Sequence, residues 1–562
     1  MTGFRTVSAA GVLMAFVGLA RCDDARRISV DEYIDRMAGG WVGQIAGVSW
    51  AAPTEFKWRD AIIPETNMPA WAPETINNAF GQDDLYVEMT FLRSLEEHGW
   101  DVSIRQAGID FANSQYRLWC ANDAGRKNLR RGIAPPDSSH PRFNRCPNDI
   151  DYQIEADYSG LISPGMPSAV IALGEKFGRL MNYGDGVYGG QFIGGMYAEA
   201  FFEKDVREII RAGLECIPAE SQYAEMVRDM LRWHGENPKD WQVTWGLCQK
   251  KYRETPEYQR ASNGGIDVKI NGAYVLMGLL YGEGDMAKTI TISARCGQDS
   301  DCNPSSAAGV LGASMGLGKI PGHFKDRLNR GVKFSYTAYT FSDLIRVCEK
   351  LARLNIERSG GRSERGADGK EQFVIPRDRP KPAALELSWA PGPIANSMFT
   401  PEEYAKIRFK PHPADVVHDD PTTRVQRAAD VLFPGWTTSP NGPDMNPGYR
   451  EEHAGRRHLL MTHPLNRTTG VTLSKTIRVP DDPSAKIVVT IANHGKGDFT
   501  FVARIDGKEE VRQKVGGGKS AWQNITVDLA RHAAKSVRVE LANEPDGWSS
   551  EAAYWAAIAV TP

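Results

Sequence analysis

Hydrophobic positions follow a helical period in the N-terminal part of the chain and an alternating one near the C-terminus. Between residues 85 and 95, leucine and methionine recur at intervals of three and four positions, and Gly99 follows. This spacing predicts an amphipathic helix that ends at the glycine. Small residues recur at helical spacing over 305–317, which predicts a helix that its neighbours approach closely. Asn303 and Pro304 suit the N-cap and first position of that helix.

Beyond about residue 425 the pattern changes to short runs with alternating polarity or with many β-branched residues. Turn-forming pairs such as Asp506-Gly507 separate these runs. The predicted strands are 472–479, 487–492, 499–505, 525–529, 537–541 and 554–560. Several strands at such short intervals predict a β-sandwich. The predicted fold class is therefore a multidomain chain, in which an all-α bundle is followed by an all-β sandwich.

The length of the chain requires more than one domain, because 562 residues are too many for a single hydrophobic core. The stretch 358–369 is polar and rich in glycine, and proline is frequent over 376–413. These compositions predict a flexible and then an irregular connection. The predicted segments are a signal peptide at 1–22, the helical domain at 28–357, the connection at 358–424 and the β-sandwich at 425–562.

The N-terminus has the pattern of a targeting signal. Arg5 precedes an apolar stretch over 7–20 that is too short to span a bilayer comfortably. Small residues at 18–20 provide a cleavage site, so we predict a signal peptide and a secreted or periplasmic protein. Lipid attachment at Cys22 is the less favoured alternative, because Arg21 directly precedes it. No other segment is apolar enough to be a transmembrane helix.

The charge balance argues against some classes of partner, and the cysteine spacing argues against a structural zinc site. The chain has 67 Lys and Arg residues against 70 Asp and Glu residues, a formal net charge of -3. This balance gives no reason to expect nucleic acid or an anionic membrane surface as a partner. The 8 cysteines form no Cys-x-x-Cys pair, so buried free thiols are expected rather than structural zinc. The oligomeric state stays open.

Two short polar clusters lie far apart in the sequence. The first is Gln82-Asp83-Asp84, at the start of one predicted helix, and the second runs from Asp299 to Cys302, just before another. Carboxylate oxygens are the ligands that Mg²⁺ prefers, and neither cluster alone could complete its octahedral shell. Each cluster also has a simpler interpretation, because the helix dipole stabilises acidic residues in a first turn.

Three motifs together resemble the ADP-ribosylglycohydrolase family. They are residues 37–47 with the following 53–56, residues 82–84, and residues 297–302 before the small-residue helix. They occur in the family's order, and the resemblance runs from about residue 28 to about residue 355. It implies an all-α fold with a binuclear Mg²⁺ site and the hydrolysis of a glycosidic bond.

The resemblance also implies roles for single residues. The implied metal ligands are Asp83, Asp84, Asp299 and Asp301. Glu55 would be the acidic residue beside the nucleophilic water. Gln82 and Cys302 stand where the family usually has threonine; a glutamine carbonyl can still bind Mg²⁺, whereas a thiol suits it poorly. The implied cofactor is one or two Mg²⁺ ions, for which Mn²⁺ can substitute.

Turns rich in glycine and aspartate lie between the two clusters. Their candidate substrate-binding residues are Glu155, Asp157, Asn182 and Asp185. By resemblance, this region faces the sugar of the ligand. Simple helix-connecting loops explain the same composition equally well.

Three functions follow from these observations. The first is a Mg²⁺-dependent hydrolase of an N- or O-glycosidic bond in an ADP-ribosyl-type substrate. The second is a secreted glycosidase of the same fold that acts on a polysaccharide or glycoconjugate. The signal peptide favours it, as does a C-terminal module that resembles the jelly-roll modules of carbohydrate-active enzymes. The third, suggested only by Gln82 and Cys302, is a non-catalytic protein that binds a metal or ligand.

Overall fold

The computed structural model describes residues 25–262, 266–409 and 420–561. Its N-terminal part consists mostly of α-helices around one apolar core, which confirms the predicted bundle. In chain order the helices are α1 (Val30–Ala51), α2 (Asp83–His98), α3 (Ile104–Ala112), α4 (Cys120–Arg130), α5 (Asp151–Ile154), α6 (Asp157–Leu161), α7 (Pro167–Phe177), α8 (Asp185–Ala200), α9 (Val206–Leu214), α10 (Gln222–Glu236), α11 (Trp241–Cys248), α12 (Val268–Tyr281), α13 (Met286–Arg295), α14 (Cys302–Met315) and α15 (Phe341–Arg358). Across the described ranges, no helix has both the length and the apolar character needed to cross a membrane.

Helices α1 and α14 are in close backbone contact, which a stripe of glycines on α1 makes possible. A Cβ atom on Gly43 would lie 2.1 Å from the carbonyl oxygen of Ala308, and one on Gly47 would lie 2.3 Å from that of Pro304. Gly39 makes the same kind of contact one turn earlier. Residues four apart share one face of a helix. The stripe therefore holds the N-terminus of α14 against the C-terminal half of α1.

Replacing Gly43 with alanine is expected to lower the free energy of unfolding by about 1–3 kcal/mol, because the added methyl group overlaps the backbone of α14. Urea denaturation followed by circular dichroism measures the change. Gly235→Ala on α10 is the matched control, since no atom lies within 4 Å of its added Cβ. The control is expected to stabilise its helix slightly. Equal destabilisation by both changes would contradict the close packing of α1 on α14.

The two helices that carry the polar clusters begin at those clusters. Helix α2 begins at Asp83 and ends before Gly99, which confirms the predicted helix, its end and the placement of Asp83 and Asp84 in its first turn. Helix α14 begins at Cys302 with Asp301 at the N-cap, so the prediction of Asn303 as N-cap is wrong. Pro304 is already the third helical residue. The first turn tolerates proline there because its N–H groups have no acceptor within the helix.

A three-stranded antiparallel sheet joins the two ends of the helical part. Its strands are β1 (Ala25–Ser29), β2 (Arg362–Arg365) and β3 (Glu371–Pro376), in the order β1-β3-β2. The prediction that 358–369 is a flexible connection is therefore wrong for residues 362–365, which form β2 of a hairpin. The composition of 358–369 concealed this, because the apolar side chains that anchor the hairpin, Phe373 to Ile375, follow that stretch and are buried.

Two sequence-based predictions fall on residues outside the described ranges. Residues 1–24 contain the predicted signal peptide at 1–22 and the alternative lipid attachment at Cys22, so both stay predictions.

The cysteines within the described ranges are all free thiols, and all of them except Cys120 are buried. The expectation of buried free thiols is confirmed for the described cysteines other than Cys120.

Two further helices precede the β module. They are α16 (Pro401–Ala405) and α17 (Pro421–Leu432). Helix α17 corrects the prediction of β structure from residue 425 onward. The Asp420 side chain accepts hydrogen bonds from the N–H groups of Thr422 and Thr423, and Pro421 occupies the first turn. Val425 and Ala429 then bury one face of α17 in the core of the β module.

The C-terminal module consists of two five-stranded sheets, which confirms the predicted β-sandwich class. Its strands are β4 (Thr437–Thr438), β5 (Gly448–His453), β6 (Arg456–Thr462), β7 (Val471–Arg478), β8 (Lys486–Asn493), β9 (Asp498–Ile505), β10 (Lys508–Gly516), β11 (Trp522–Asp528), β12 (Ser536–Glu544) and β13 (Ala553–Thr561). The sheet orders are β10-β9-β12-β7-β4 and β11-β8-β13-β6-β5, with antiparallel pairing. Side chains from both sheets form one core, in which the rings of Phe501 and Trp555 lie 6.1 Å apart.

Candidate metal centre

The N-termini of α2 and α14 meet, and this brings the two polar clusters together. Ligand atoms of Asp83, Asp84 and Cys302 all lie within 4.8 Å of one another, as do those of Asp299, Asp301 and Cys302. The Cys302 thiol belongs to both groups, and it donates a hydrogen bond of 2.9 Å to Asp84 Oδ1. Four aspartates from two distant parts of the sequence thus surround one small volume.

A backbone contact between two loops places Glu55 beside the aspartates. The Gln298 N–H donates to the Trp58 carbonyl oxygen at 2.8 Å, and the Phe56 N–H donates to the Gln298 carbonyl oxygen at 3.1 Å. Gly297 has a φ of 85°, and a Cβ atom there would lie 2.3 Å from the Trp58 carbonyl oxygen. This position therefore requires glycine, and the family-like motif at 297–302 has a steric reason to begin with it.

Crowding of negative charge raises the pKa of the carboxyl groups in this centre. Burial and then the charge of Asp83 raise the pKa of Asp84 to about 8. Burial and then the charge of Asp84 raise the pKa of Asp301 to about 7. The pKa of Asp299 is raised well above its usual range by burial and by Asp301. Such groups cannot all be ionised together unless positive charge is supplied.

The donor atoms fit a divalent cation. Asp84 Oδ2 and Asp299 Oδ1 are buried and have no hydrogen-bond partner among the described residues. Buried acceptors without a hydrogen-bond donor are rare in proteins, and a bound ion is one of the few explanations for them. Hard oxygen donors of this kind suit Mg²⁺ or Mn²⁺. We infer that the aspartates are arranged to hold such a cation.

Glu55 is exposed, whereas Asp83 is partly buried and the other three aspartates are buried. Partial desolvation of its carboxyl group, followed by the charges of Asp301 and Asp83, raises its pKa to about 7. A carboxyl group with this pKa can exchange a proton near neutral pH. Its position at the edge of the centre leaves it accessible to a water molecule or substrate.

The two residues that replace the family's threonines lie at the centre in different ways. Cys302 is 4% exposed, and burial together with the surrounding aspartates raises the pKa of its thiol well above its usual range. The sulfur is therefore a neutral donor to Asp84 rather than a thiolate. Gln82 is the N-cap residue of α2 in an extended conformation, and its side chain makes no capping hydrogen bond.

Glu155 and Asp157 are fully buried next to the four aspartates of the centre. Glu155 Oε1 accepts a hydrogen bond from the Asn122 side chain, whereas Glu155 Oε2 is buried without a partner in the described chain. Asp157 Oδ2 accepts from the Tyr197 hydroxyl at 2.8 Å, and its Oδ1 accepts from Ser306 at 3.3 Å. Asp157 therefore links α6 to α8 and α14, while Glu155 keeps one oxygen free for a ligand.

Asn182 and Asp185 hold the loop before α8. The Asn182 side chain accepts from the Tyr152 N–H and donates to the carbonyl oxygens of Pro147 and Asp149. Asp185 accepts from a backbone N–H of α10 at 3.2 Å, and burial raises its pKa to about 6. These contacts give both residues a structural role, and a substrate contact for either stays a prediction.

The sequence analysis missed a second layer of buried carboxyl groups. Its members are Glu88, Asp149 and Asp151. Glu88 follows Asp84 by four residues on α2 and accepts from Gln44 at 2.6 Å and from the Tyr158 N–H at 2.9 Å. Its helical spacing from Asp84 was a usable signal. Within the described ranges, no Lys or Arg forms an ion pair with any carboxyl group of the centre or of this layer.

Comparisons with known proteins relate the chain to a family. The model of the ADP-ribosylglycohydrolase family matches residues 29–360, which is more than half of the chain. A solved structure of an ADP-ribosylglycohydrolase-related protein complex shares 15% sequence identity with a TM-score of 0.39, covering 58% of this chain and 99% of the other. No curated protein matches the chain. On the strength of the family match, the chain belongs to the ADP-ribosylglycohydrolase family.

Proposed function

We propose that the protein hydrolyses a glycosidic bond with the help of one or two Mg²⁺ ions, bound by Asp83, Asp84, Asp299 and Asp301. The convergence of these four carboxyl groups, two of them with an unpartnered buried oxygen, carries the proposal. Family membership supports a hydrolase. Mn²⁺ is expected to substitute for Mg²⁺, since both prefer carboxylate oxygens.

We assign Glu55 as the general base. Bound Mg²⁺ would orient hydroxyl groups of the sugar and offset the negative charge of the aspartates. The Glu55 carboxylate takes a proton from the attacking water. The water oxygen forms a bond to the anomeric carbon, the glycosidic bond breaks, and the leaving group takes up a proton from solvent, to which Glu55 later returns the proton it accepted. Asp157 and Glu88 keep the ends of α2, α6 and α14 in place through their hydrogen bonds.

Replacing Cys302 with serine is expected to tighten Mg²⁺ binding by about three- to tenfold, because a hydroxyl oxygen is a harder ligand than a thiol. The same change is expected to weaken binding of the soft cation Cd²⁺. Calorimetric titration of both metals measures the two effects. Cys296→Ser is the control, because this buried thiol donates instead to the carbonyl oxygen of Ile292. An identical Mg²⁺ to Cd²⁺ ratio in wild type and Cys302→Ser would exclude the sulfur from the centre.

Two substrate classes are consistent with this chemistry. Family membership favours an ADP-ribosyl-type substrate as the first candidate. The appended β module of two five-stranded sheets favours the second, a polysaccharide or glycoconjugate. Glu155 Oε2 is buried without a partner in the described chain, and a sugar hydroxyl group of either substrate class can donate a hydrogen bond to it.

To test the proposal, the full-length protein is incubated with Mg²⁺ and with a substrate of each class. Release of ADP-ribose from an ADP-ribosylated protein is followed by chromatography, and new reducing ends from neutral glycans are followed in parallel. Elemental analysis of Mn²⁺-soaked protein counts the bound ions. We expect one or two ions per chain and a hydrolysis that EDTA stops. A folded protein that binds no divalent metal would contradict the proposal.

A further inference from the structure

Three tyrosines form a continuous aromatic cluster beside the metal centre. Tyr86 follows Asp83 by three residues on α2, so both side chains share one helix face. The Tyr86 ring lies 4.8 Å from the Tyr116 ring and 5.2 Å from the Tyr336 ring, and Tyr116 and Tyr336 are 5.8 Å apart. Burial and then the charge of Asp83 raise the pKa of Tyr86. The cluster therefore adjoins the aspartates directly.

Tyr336 is the exposed member of the cluster. It is 64% exposed, whereas Tyr86 and Tyr116 are 5% and 2% exposed. A tyrosine that contacts two buried rings and presents most of its surface to solvent offers an exposed aromatic face. Aromatic side chains commonly line ligand sites, and this one lies beside the metal centre.

Tyr336 is held in an unfavourable backbone conformation by hydrogen bonds of its loop. Its φ is 61°, in the left-handed region where residues with a Cβ atom are disfavoured. The loop is fixed on both sides: the Ser335 N–H donates to the Phe80 carbonyl oxygen at 2.8 Å, and the Thr337 N–H donates to the Phe334 carbonyl oxygen at 3.2 Å. Residues held in unfavourable backbone conformations cluster at functional sites.

Acceptors lie next to the exposed side of the cluster, whereas the one cation against it in the described chain, the Arg126 guanidinium 5.6 Å from the Tyr116 ring, is buried together with that ring. Asp83 and Glu155 both act electrostatically on Tyr86. The Tyr86 hydroxyl donates to the carbonyl oxygen of Arg117, while the Arg117 guanidinium stacks 5.0 Å above the Trp119 ring. A ligand placed on Tyr336 therefore meets aromatic faces and carboxylates. This combination suits a sugar, which has apolar C–H faces and hydroxyl donors, better than a phosphate.

We propose that Tyr336, supported by Tyr86 and Tyr116, is a stacking platform for a neutral sugar ring of the substrate, directly beside the metal centre. This inference rests on the proposed function and specifies its substrate class. The platform is a binding surface and takes no part in proton transfer.

Binding measurements with the Mg²⁺-loaded full chain test the platform. The probes are cellotriose, xylotriose, mannotriose and chitotriose, with ADP-ribose and AMP in separate titrations, each followed by saturation-transfer NMR. We expect a trisaccharide to bind and its Kd to rise about tenfold in Tyr336→Gly, the loss of a single ring contact. Glycine relieves the backbone strain but loses the ring contacts and adds entropy to the unfolded chain, so a cooperative melting transition is measured to show that the variant is folded. Tyr336→Phe keeps the ring and is expected to bind as wild type.

The matched control is Val332→Ala, which removes an exposed apolar side chain of the same loop and is expected to leave the Kd unchanged. Three results would overturn the inference. They are equal saccharide affinity in wild type and Tyr336→Gly, Tyr336-dependent binding of AMP or ADP-ribose without saccharide binding, and the absence of binding by every probe. Because the readout is binding, failed hydrolysis with intact Tyr336-dependent saccharide binding would contradict only the proposed catalytic function.

Discussion

Asp299→Asn is expected to abolish measurable Mg²⁺ binding at millimolar concentrations and to lower turnover by about 1000-fold or more. Asparagine keeps the shape of the side chain and one oxygen, so the fold is retained. It removes the negative charge and the unpartnered buried oxygen that we assign to the metal. Because a bound metal stabilises the folded state, Mg²⁺ should raise the melting temperature of wild type and leave that of the variant unchanged.

Asp185→Asn provides the control for this experiment. It makes the same chemical change at another buried aspartate, where asparagine can still accept the hydrogen bond from the backbone N–H of α10. Its thermal response to Mg²⁺ is expected to equal that of wild type. If Asp299→Asn bound Mg²⁺ with wild-type affinity and stoichiometry, the metal centre would have to lie elsewhere in the protein.

Glu55→Gln is expected to lower turnover by about 100- to 10,000-fold, the range typical of a lost general base. Metal binding should be unaffected, because the aspartates rather than Glu55 hold the ion. The variant should also be as stable as wild type, since the Glu55 side chain is exposed. Steady-state kinetics at saturating Mg²⁺ and the Mg²⁺-dependent melting shift measure the two properties separately.

Glu65→Gln is the matched control for Glu55→Gln. Its side chain is 84% exposed and lies ten residues further along the same segment, where it faces Arg295 at 3.6 Å. Turnover of this control is expected to match wild type. A wild-type kcat in Glu55→Gln would remove Glu55 from the mechanism, and a lost Mg²⁺ response would make it a metal ligand instead.

The sequence was most informative where local chemistry decides the structure. The spacing of apolar residues predicted α2 and Gly99 marked its end, and β-branched alternation located strands such as β8 and β9. Strands β5, β6 and β10 were missed because charged residues such as Arg456, Arg457 and Lys508 mask their alternation. Their pairing with neighbouring strands supplies what their own composition lacks.

The site was predictable only in part, because tertiary contacts between distant segments bring its residues together. The motif at 297–302 drew attention to Asp299 and Asp301, but the contact that brings Glu55 to them runs through backbone groups of Trp58 and Gln298. No pattern in the sequence records such a contact. The aromatic cluster likewise unites Tyr86 and Tyr336, which are far apart in sequence. Tertiary proximity, rather than residue type, makes these groups a site.

The sheet formed by β1, β3 and β2 has a practical consequence for dissecting this protein. The family match ends at residue 360, but Phe373 of β3 is fully buried and its ring lies 5.4 Å from that of Tyr33 on α1. A truncation at residue 360 would uncover this aromatic contact and leave β1 with an unpaired edge. Phe399 and Ile407 are buried in the same core. Recombinant fragments of the helical part should therefore extend at least to Ile407, well beyond the end of the family match.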